Sequence, residues 1–258
     1  MTEKGFTVTN NVYVPDRVKP DSVFERDYIT LRWKEKRIYS DAELMQLPEI
    51  SDEHPCYAEW QLRRQSAERL KEYIAAKSAP QKILEIGCGN GWLSHLMAKI
   101  PRTRVTGCDI NFTELQQAAR VFGHLPNLRF VYGSVNTEIF GDVQYDCIVC
   151  AASIQYFPCL HALMQDILPL LKPGGEIHIV DSPFYAPEEK AEAYERSKAY
   201  YTSLGFPEMA KQYFHHTHDE LTAFNPTMLY KPSRWKKIFS RQVNPFPWIR
   251  IVRPGHAA

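Results

Sequence analysis

The chain has 258 residues, 44% of them hydrophobic, and its 31 Lys plus Arg nearly balance 30 Asp plus Glu. That is enough apolar material for one α/β domain with additions, and it excludes a global field that would select nucleic acid or an anionic membrane. The opening MTEKGFTVTN has no apolar signal core, and no run approaches the roughly 18 apolar residues of a membrane span, so a cytoplasmic protein with a small-molecule partner, no nucleic acid and no membrane span is expected.

In chain order, FTVTNNVYVP reads as a hairpin around Asn10-Asn11 or as an extended arm. Ser40 with Glu43 three residues on is a capping box, which predicts a short helix. Between Pro55 and Pro80, Leu62, Ser66, Leu70, Tyr73 and Ile74 fall on one helical stripe, predicting a helix packed on the edge of a sheet. Residues 1–55 are set apart as an N-terminal extension, and 56–258 as the main domain.

From 82 to 181 apolar runs alternate with helical stretches. KILEI, RVTGCDI, LRFVYGS, YDCIVCAAS and GEIHIVDS read as strands, the last after a Pro173-Gly174-Gly175 turn. GWLSHLMAKI, TELQQAARVF and LHALMQDILPLL read as the helices between them. Strands buried on both faces and joined by helices imply right-handed crossovers and a parallel sheet. TMLYK and FPWIRIV add two final strands, giving a doubly wound, mostly parallel seven-stranded α/β fold.

Of the six cysteines, Cys147 and Cys150 are spaced C-x-x-C, but on a strand residues three apart face opposite sides. Reduced core thiols are the expectation, with no redox pair and no metal. Residues 188–203 read as a helix closed by Gly205, Thr217 and Glu220 repeat the capping box, and SRWKKIF with Arg241 reads as an amphipathic helix rather than an RNA surface.

KILEIGCGNGWLSHL runs from a strand through three glycines into a helix. The bare backbone of Gly87, Gly89 and Gly91 lets a polar ligand approach the helix N-terminus at the strand ends, where open α/β sheets bind ligands. A dinucleotide fingerprint needs a small residue three positions after the second glycine, and Trp92 or Ser94 stands there instead.

LEIGCGNGWLS, VTGCDIN, YDCIVCAASIQYF and ILPLLKPGGEIHIVDS, in that order over residues 56–182, resemble the motifs of class I S-adenosylmethionine-dependent methyltransferases, a Rossmann-like family, in their small-molecule, quinone-biosynthesis-like subgroup. The resemblance implies S-adenosyl-L-methionine as cofactor. It implies contacts from Gly87, Cys88, Gly89, Asn90 and Gly91, from Asp109 to the ribose, from Ile110, Ser134 and Val135 to adenine, and from Ala151. The stretch Gly133-Ser134-Val135 departs from the family's Gly-Asp-Ala, removing a charge-assisted bond to the adenine amino group. Glu85 is either a turn acid or a contact to the methionine amino group, and Arg63 either a solvated helix residue or a partner of the methionine carboxylate.

Methyl transfer by in-line displacement asks mainly for positioning, with a base only where the nucleophile must lose a proton. Ser153, Gln155, Tyr156, Ser182 and Tyr185 follow strand ends and are candidate acceptor contacts. His215 and His216, with His218 nearby, are candidate bases, so His215, His216 and Tyr156 form the expected catalytic set. Residues 188–217 are expected as a lid. The expected function is methyl transfer to O, C or N of a small molecule; the alternatives are a non-catalytic or regulatory S-adenosylmethionine-binding protein and, less favoured, a nicotinamide oxidoreductase.

Overall fold

The computed structural model describes residues 5–16, 18, 22–135, 137–141, 143–232 and 243–255. The helix expected over SRWKKIF and Arg241 lies outside the described residues.

The N-terminus is a hairpin, β1 (Phe6–Thr9) and β2 (Val12–Pro15). Asn10 and Asn11 take φ of 52° and 62°, the two positive values that a type I′ turn requires and that asparagine tolerates. Helix α1 (Ser22–Lys34) follows, then α2 (Asp41–Gln46). The Ser40–Glu43 capping box starts α2 in both directions: the Ser40 N–H donates to Glu43 Oε2 at 2.7 Å and the Glu43 N–H to Ser40 Oγ at 3.2 Å. Helix α3 (Tyr57–Ala75) leads into β3 (Gln81–Ile86).

The core then alternates: α4 (Trp92–Ala98), β4 (Thr103–Asp109), α5 (Phe112–Phe122), β5 (Leu128–Tyr132), the short α6 (Thr137–Phe140), β6 (Tyr145–Ala151), α7 (Leu160–Ile167) and β7 (Leu171–Val180). The Pro173-Gly174-Gly175 turn lies inside the span of β7: Tyr145 pairs with Leu171 but Cys147 with Glu176, so the segment between loops out of register. After β7 come β8 (Phe184–Tyr185), α8 (Lys190–Ser203), β9 (His216–Thr217), β10 (Thr227–Tyr230) and β11 (Trp248–Val252). Gly205, at φ 83°, ends α8 as expected, its N–H donating to Thr202 O at 2.9 Å.

Among the described residues the main sheet has nine strands, in the order β1-β2-β5-β4-β3-β6-β7-β11-β10. β3 to β7 are parallel, and β11 and β10 close one side antiparallel. The expected count of seven omits the hairpin, whose β2 pairs parallel to β5 at Val12–Phe130 and Tyr13–Val131 and so extends the sheet.

Alternate residues of each strand serve opposite faces. Ile83 packs with α3, α4 and α5 through Leu70, Ile74, Met97 and Leu115, while its neighbour Leu84 packs with α7 through Leu163, Met164 and Ile167. Each such side chain contributes roughly 1.5–3 kcal/mol by leaving water, which is why the strands read as unbroken apolar runs. Cys147 belongs to the first face and Cys150 to the second; both thiols are free, and burial pushes Cys150 up to about 12.

Helix α3 lies across a face rather than along an edge: its Tyr73 ring meets Trp248 of β11 at 5.4 Å and its hydroxyl donates to Glu176 of β7 at 3.0 Å. A third small cluster, Leu31 with Tyr201, Met209 and Ala210, joins α1 to α8 and the 3-10 turn Pro207–Gln212. Among the described residues no helix is long and apolar enough to cross a membrane.

Candidate active site

The carboxyl ends of β3, β4, β5 and β6 open into a cleft of about 660 Å³, within the size range of small-molecule sites. Its floor is the glycine turn. Gly87 has φ 71°, and a Cβ there would lie 2.5 Å from Ser153 Cβ, so only glycine lets β3 pass under the turn that follows β6. Gly91 caps α4 at φ 76°, with Phe130 where a Cβ would point.

The turn's donors point inward. Gly87 and Cys88 N–H donate to Cys108 O at 2.8 and 3.1 Å, and Gly89 N–H donates to Asp109 Oδ2 at 2.7 Å. The stretch therefore offers bare surface more than free N–H groups.

Asp109 is clamped from its other oxygen by Asn111 N–H at 2.8 Å. Its pKa is raised by burial, with these backbone donors opposing the shift. Glu85, at the end of β3, is 2% exposed and accepts the Ser94 hydroxyl at 2.5 Å. Burial pushes it up to about 8. Glu114 of α5 is raised to about 7, by burial first and by Asp109 second. Near neutrality this wall is thus less negative than its formal charges suggest.

The facing wall comes from the N-terminal segments. Arg32 of α1 donates from Nη2 to Tyr28 OH at 2.7 Å and to Tyr156 OH at 3.2 Å, and from Nη1 to Glu35 at 3.0 Å. Glu59 of α3 accepts Arg37 at 2.6 Å and Arg63 at 2.9 Å. Trp60 donates to Tyr39 OH at 2.7 Å and meets Trp92 edge-on at 5.0 Å, tying this wall to the start of α4.

Residues 83–175 match the family described as methyltransferase domain. Over this segment the chain is similar to methyltransferase domains. Among curated proteins the chain is 29% identical over 116 residues to the demethylmenaquinone methyltransferase of Chlorobaculum tepidum, covering 45% of this chain and 46% of that one. It is 32% identical over 111 residues to the ubiquinone biosynthesis O-methyltransferase of Salmonella arizonae, covering 41% and 45%. The chain thus spans about half the length of the curated relatives it matches.

The methyltransferase fold extends further than these matches. Geranyl diphosphate C-methyltransferase from Streptomyces coelicolor A3(2), solved with S-adenosyl-L-homocysteine, aligns over 92% of this chain and 100% of its own at TM-score 0.57 and 15% identity. Magnesium protoporphyrin IX methyltransferase from Synechocystis PCC 6803 aligns over 92% and 99% at TM-score 0.54 and 13% identity.

Of the expected cofactor contacts, Arg63, Glu85, Gly87, Cys88, Gly89, Asn90, Asp109, Ile110, Ser134, Val135 and Ala151 line the cleft. Gly91 does not line it; its position serves the start of α4 against Phe130. Tyr156 and Ser153 also line it.

The expected bases are not brought there. His215 sits 2.9 Å from Ser197 Oγ and packs among Tyr185, Tyr194 and Tyr213. His216 lies between Glu220 at 2.9 Å and the Ile154 carbonyl at 3.2 Å, holding the segment after α8 against the turn after β6. His218 stacks on Phe184 at 4.7 Å. Gln155 turns back to Ala152 O at 2.6 Å, Ser182 is fully buried, and Tyr185 faces a separate groove.

Sequence reading missed Tyr28, Arg32, Arg37, Tyr39, Glu59, Trp60 and Glu114, all on the cleft. Only Glu59 carried a signal, its i,i+4 spacing to Arg63.

Proposed function

We propose that this protein transfers the methyl group of S-adenosyl-L-methionine to a small-molecule acceptor. The observation that carries this reading is Asp109, a carboxylate at the end of β4 fixed by two backbone N–H groups beside a side-chain-free turn. Such a carboxylate is suited to accept the two hydroxyls of a ribose.

The other residues suit the remaining parts of the cofactor. Ile110 is 42% exposed in the cleft and, with Tyr132, Ser134 and Val135, provides an apolar slot for adenine. The Asn111 amide is buried on the cleft wall, and its Nδ2 has no hydrogen-bond partner among the described residues, so a ligand acceptor atom satisfies it. Arg37 and Arg63 suit the methionine carboxylate and Glu59 the ammonium. When bound, the cofactor supplies a methyl group on a positive sulfonium, and the chain's part is to hold donor and acceptor in line.

Residues 188–217 act as a lid in this reading, supported by the packing of α8 on α1 beside the cleft. We assign 56–258 as the catalytic domain with 1–55 as an extension that completes the cleft wall. A cytoplasmic location is supported by six unpaired cysteines, and a small acceptor rather than nucleic acid by the near balance of charge.

Calorimetry with S-adenosylhomocysteine tests the reading. Asp109→Ala is expected to weaken binding by about 1.5–3 kcal/mol, roughly 10- to 100-fold, because the charge-assisted bonds from the ribose hydroxyls are lost. Unchanged affinity would remove Asp109 from the site. Labelled methyl incorporation into a metabolite extract separates an enzyme from a protein that only binds the cofactor.

A further inference from the structure

The wall opposite Asp109 has a charge pattern that the cofactor does not use up. Arg32, Glu35, Arg37, Glu59 and Arg63 form a chain of ion pairs: Glu35 lies 3.0 Å from Arg32 and 3.9 Å from Arg37, and Glu59 lies 2.6 Å from Arg37 and 2.9 Å from Arg63. Three cations share two carboxylates. Arg37 and Arg63 sit by α3, where the methionine end is proposed to lie, and Arg32 stands at the other end of the chain beside Tyr156.

Tyr156 belongs to the 3-10 turn Ile154–Tyr156, directly after Ser153, the residue that abuts the glycine turn. Its hydroxyl accepts an N–H of Arg32, which leaves its own O–H available to donate. The surroundings are flat and apolar. The Tyr28 and Tyr156 rings meet edge-on at 6.3 Å, Tyr213 backs Tyr156 at 5.9 Å, the Arg32 guanidinium lies 4.7 Å over the Tyr28 ring, and Phe157 and Pro158 continue the wall. Asp109 and Glu114 face Arg32 from the cofactor side, where the ribose is proposed to sit.

Among the described residues that line the cleft none is a histidine, so none of them is an imidazole base. A fixed guanidinium answers the same need differently, because it favours the ionised form of an acidic acceptor and removes the requirement for proton transfer during the reaction.

We infer that Arg32 and Tyr156 form the acceptor subsite, and that the acceptor presents an anionic oxygen on a planar group, a carboxylate or a phenolate. This rests on the methyl-transfer reading above. The acceptor oxygen's electron pair forms the new O–C bond while the S–C bond breaks with its electrons going to sulfur; the anionic and sulfonium charges cancel and no proton changes hands. Product is then a neutral ester or ether, which Arg32 no longer attracts.

The test uses the whole protein saturated with S-adenosylhomocysteine, titrated with benzoate, 4-nitrophenolate, benzamide and benzylamine. Benzoate or 4-nitrophenolate is expected to bind at least tenfold tighter than benzamide and benzylamine, and the tighter of the two anions tells a carboxyl acceptor from a phenolic one. Arg32→Gln should lose at least tenfold in affinity for that anion and change S-adenosylhomocysteine affinity by less than threefold. Arg32→Lys, which keeps the charge, should keep the preference for the anion over benzamide that Arg32→Gln loses. Tyr156→Phe, which removes the donor hydroxyl, should weaken anion binding at least threefold with benzamide and S-adenosylhomocysteine affinities unchanged; this second variant stands if Arg32→Gln does not fold, and intact anion affinity in it also overturns the subsite. Anions binding no tighter than benzamide, or an Arg32→Gln protein with intact anion affinity, overturns the subsite. Failure of the wild-type protein to bind S-adenosylhomocysteine overturns the methyl-transfer reading instead.

Discussion

Glu85 is an acid that water scarcely reaches, and its ordinary pKa of 4.5 is pushed to about 8 by burial, with the Ser94 hydroxyl opposing the shift. A carboxyl whose folded pKa is raised holds its proton more tightly in the native state than in the unfolded chain. Its contribution to stability is therefore complete below about pH 4.5 and is lost as pH climbs through about 8, at up to ~1.4 kcal/mol per pH unit. Glu114, raised to about 7, and Asp109, also raised, tilt the curve the same way. Glu85→Gln keeps an oxygen for Ser94 and cannot ionise. Urea midpoints of that variant should fall less between pH 5 and pH 8 than those of the wild type; parallel declines would mean that Glu85 does not change charge on unfolding. Gly87, Gly89 and Asp109 were legible as cleft residues because the chemistry asks for those residue types at that spacing, whereas Glu114 was not, since one acid on the first turn of a helix looks like any other.

The elements divide in the same way. Helix α5 announces itself through Leu115, Ala118, Ala119 and Phe122 on one face, all buried. Helix α1, SVFERDYITLRWK, carries charge around its circumference and shows no stripe, yet it supplies Tyr28 and Arg32 to the cleft. Tertiary anchors hold it where local pattern does not. Glu25 accepts Phe112 N–H at 2.9 Å, Lys34 donates to Leu204 O at 2.7 Å, the Tyr200 hydroxyl donates to Glu35 at 2.8 Å, and Leu31, 3% exposed, packs with Tyr201, Met209 and Ala210. Such long-range contacts leave no periodic trace in sequence, which is why the N-terminal half of the site was invisible. They also make α1 and α8 one unit. Leu31→Ala should cost about 2–5 kcal/mol locally. Amide exchange should then quicken together in α1 and in residues 190–212 while β3 to β6 keep their protection; acceleration of α1 alone would show that the two helices are independent.

At the scale of the molecule, the cleft has one wall built by the strand ends of the 83–175 core and another built by α1 and α3 together with the turn after β6, so a ligand between them ties together segments far apart in sequence. A ligand that binds only the native state stabilises by RT ln(1 + [L]/Kd), which is ~2.7 kcal/mol at a hundredfold excess over Kd. For a chain of 258 residues each kcal/mol is worth about 2–4 °C in Tm, so S-adenosylhomocysteine at that excess should raise the melting temperature by roughly 5–10 °C. Asp109→Ala, with affinity weakened about 10- to 100-fold, should retain only ~0.4–1.4 kcal/mol of that stabilisation at the same concentration. NAD should shift neither protein, because Trp92, 6% exposed and packed edge-on against Trp60, occupies the position where a dinucleotide fold needs a small residue for its helix to close on the strand. An equal shift with NAD would restore the nicotinamide reading, since the same glycine turn would then be accommodating a pyrophosphate.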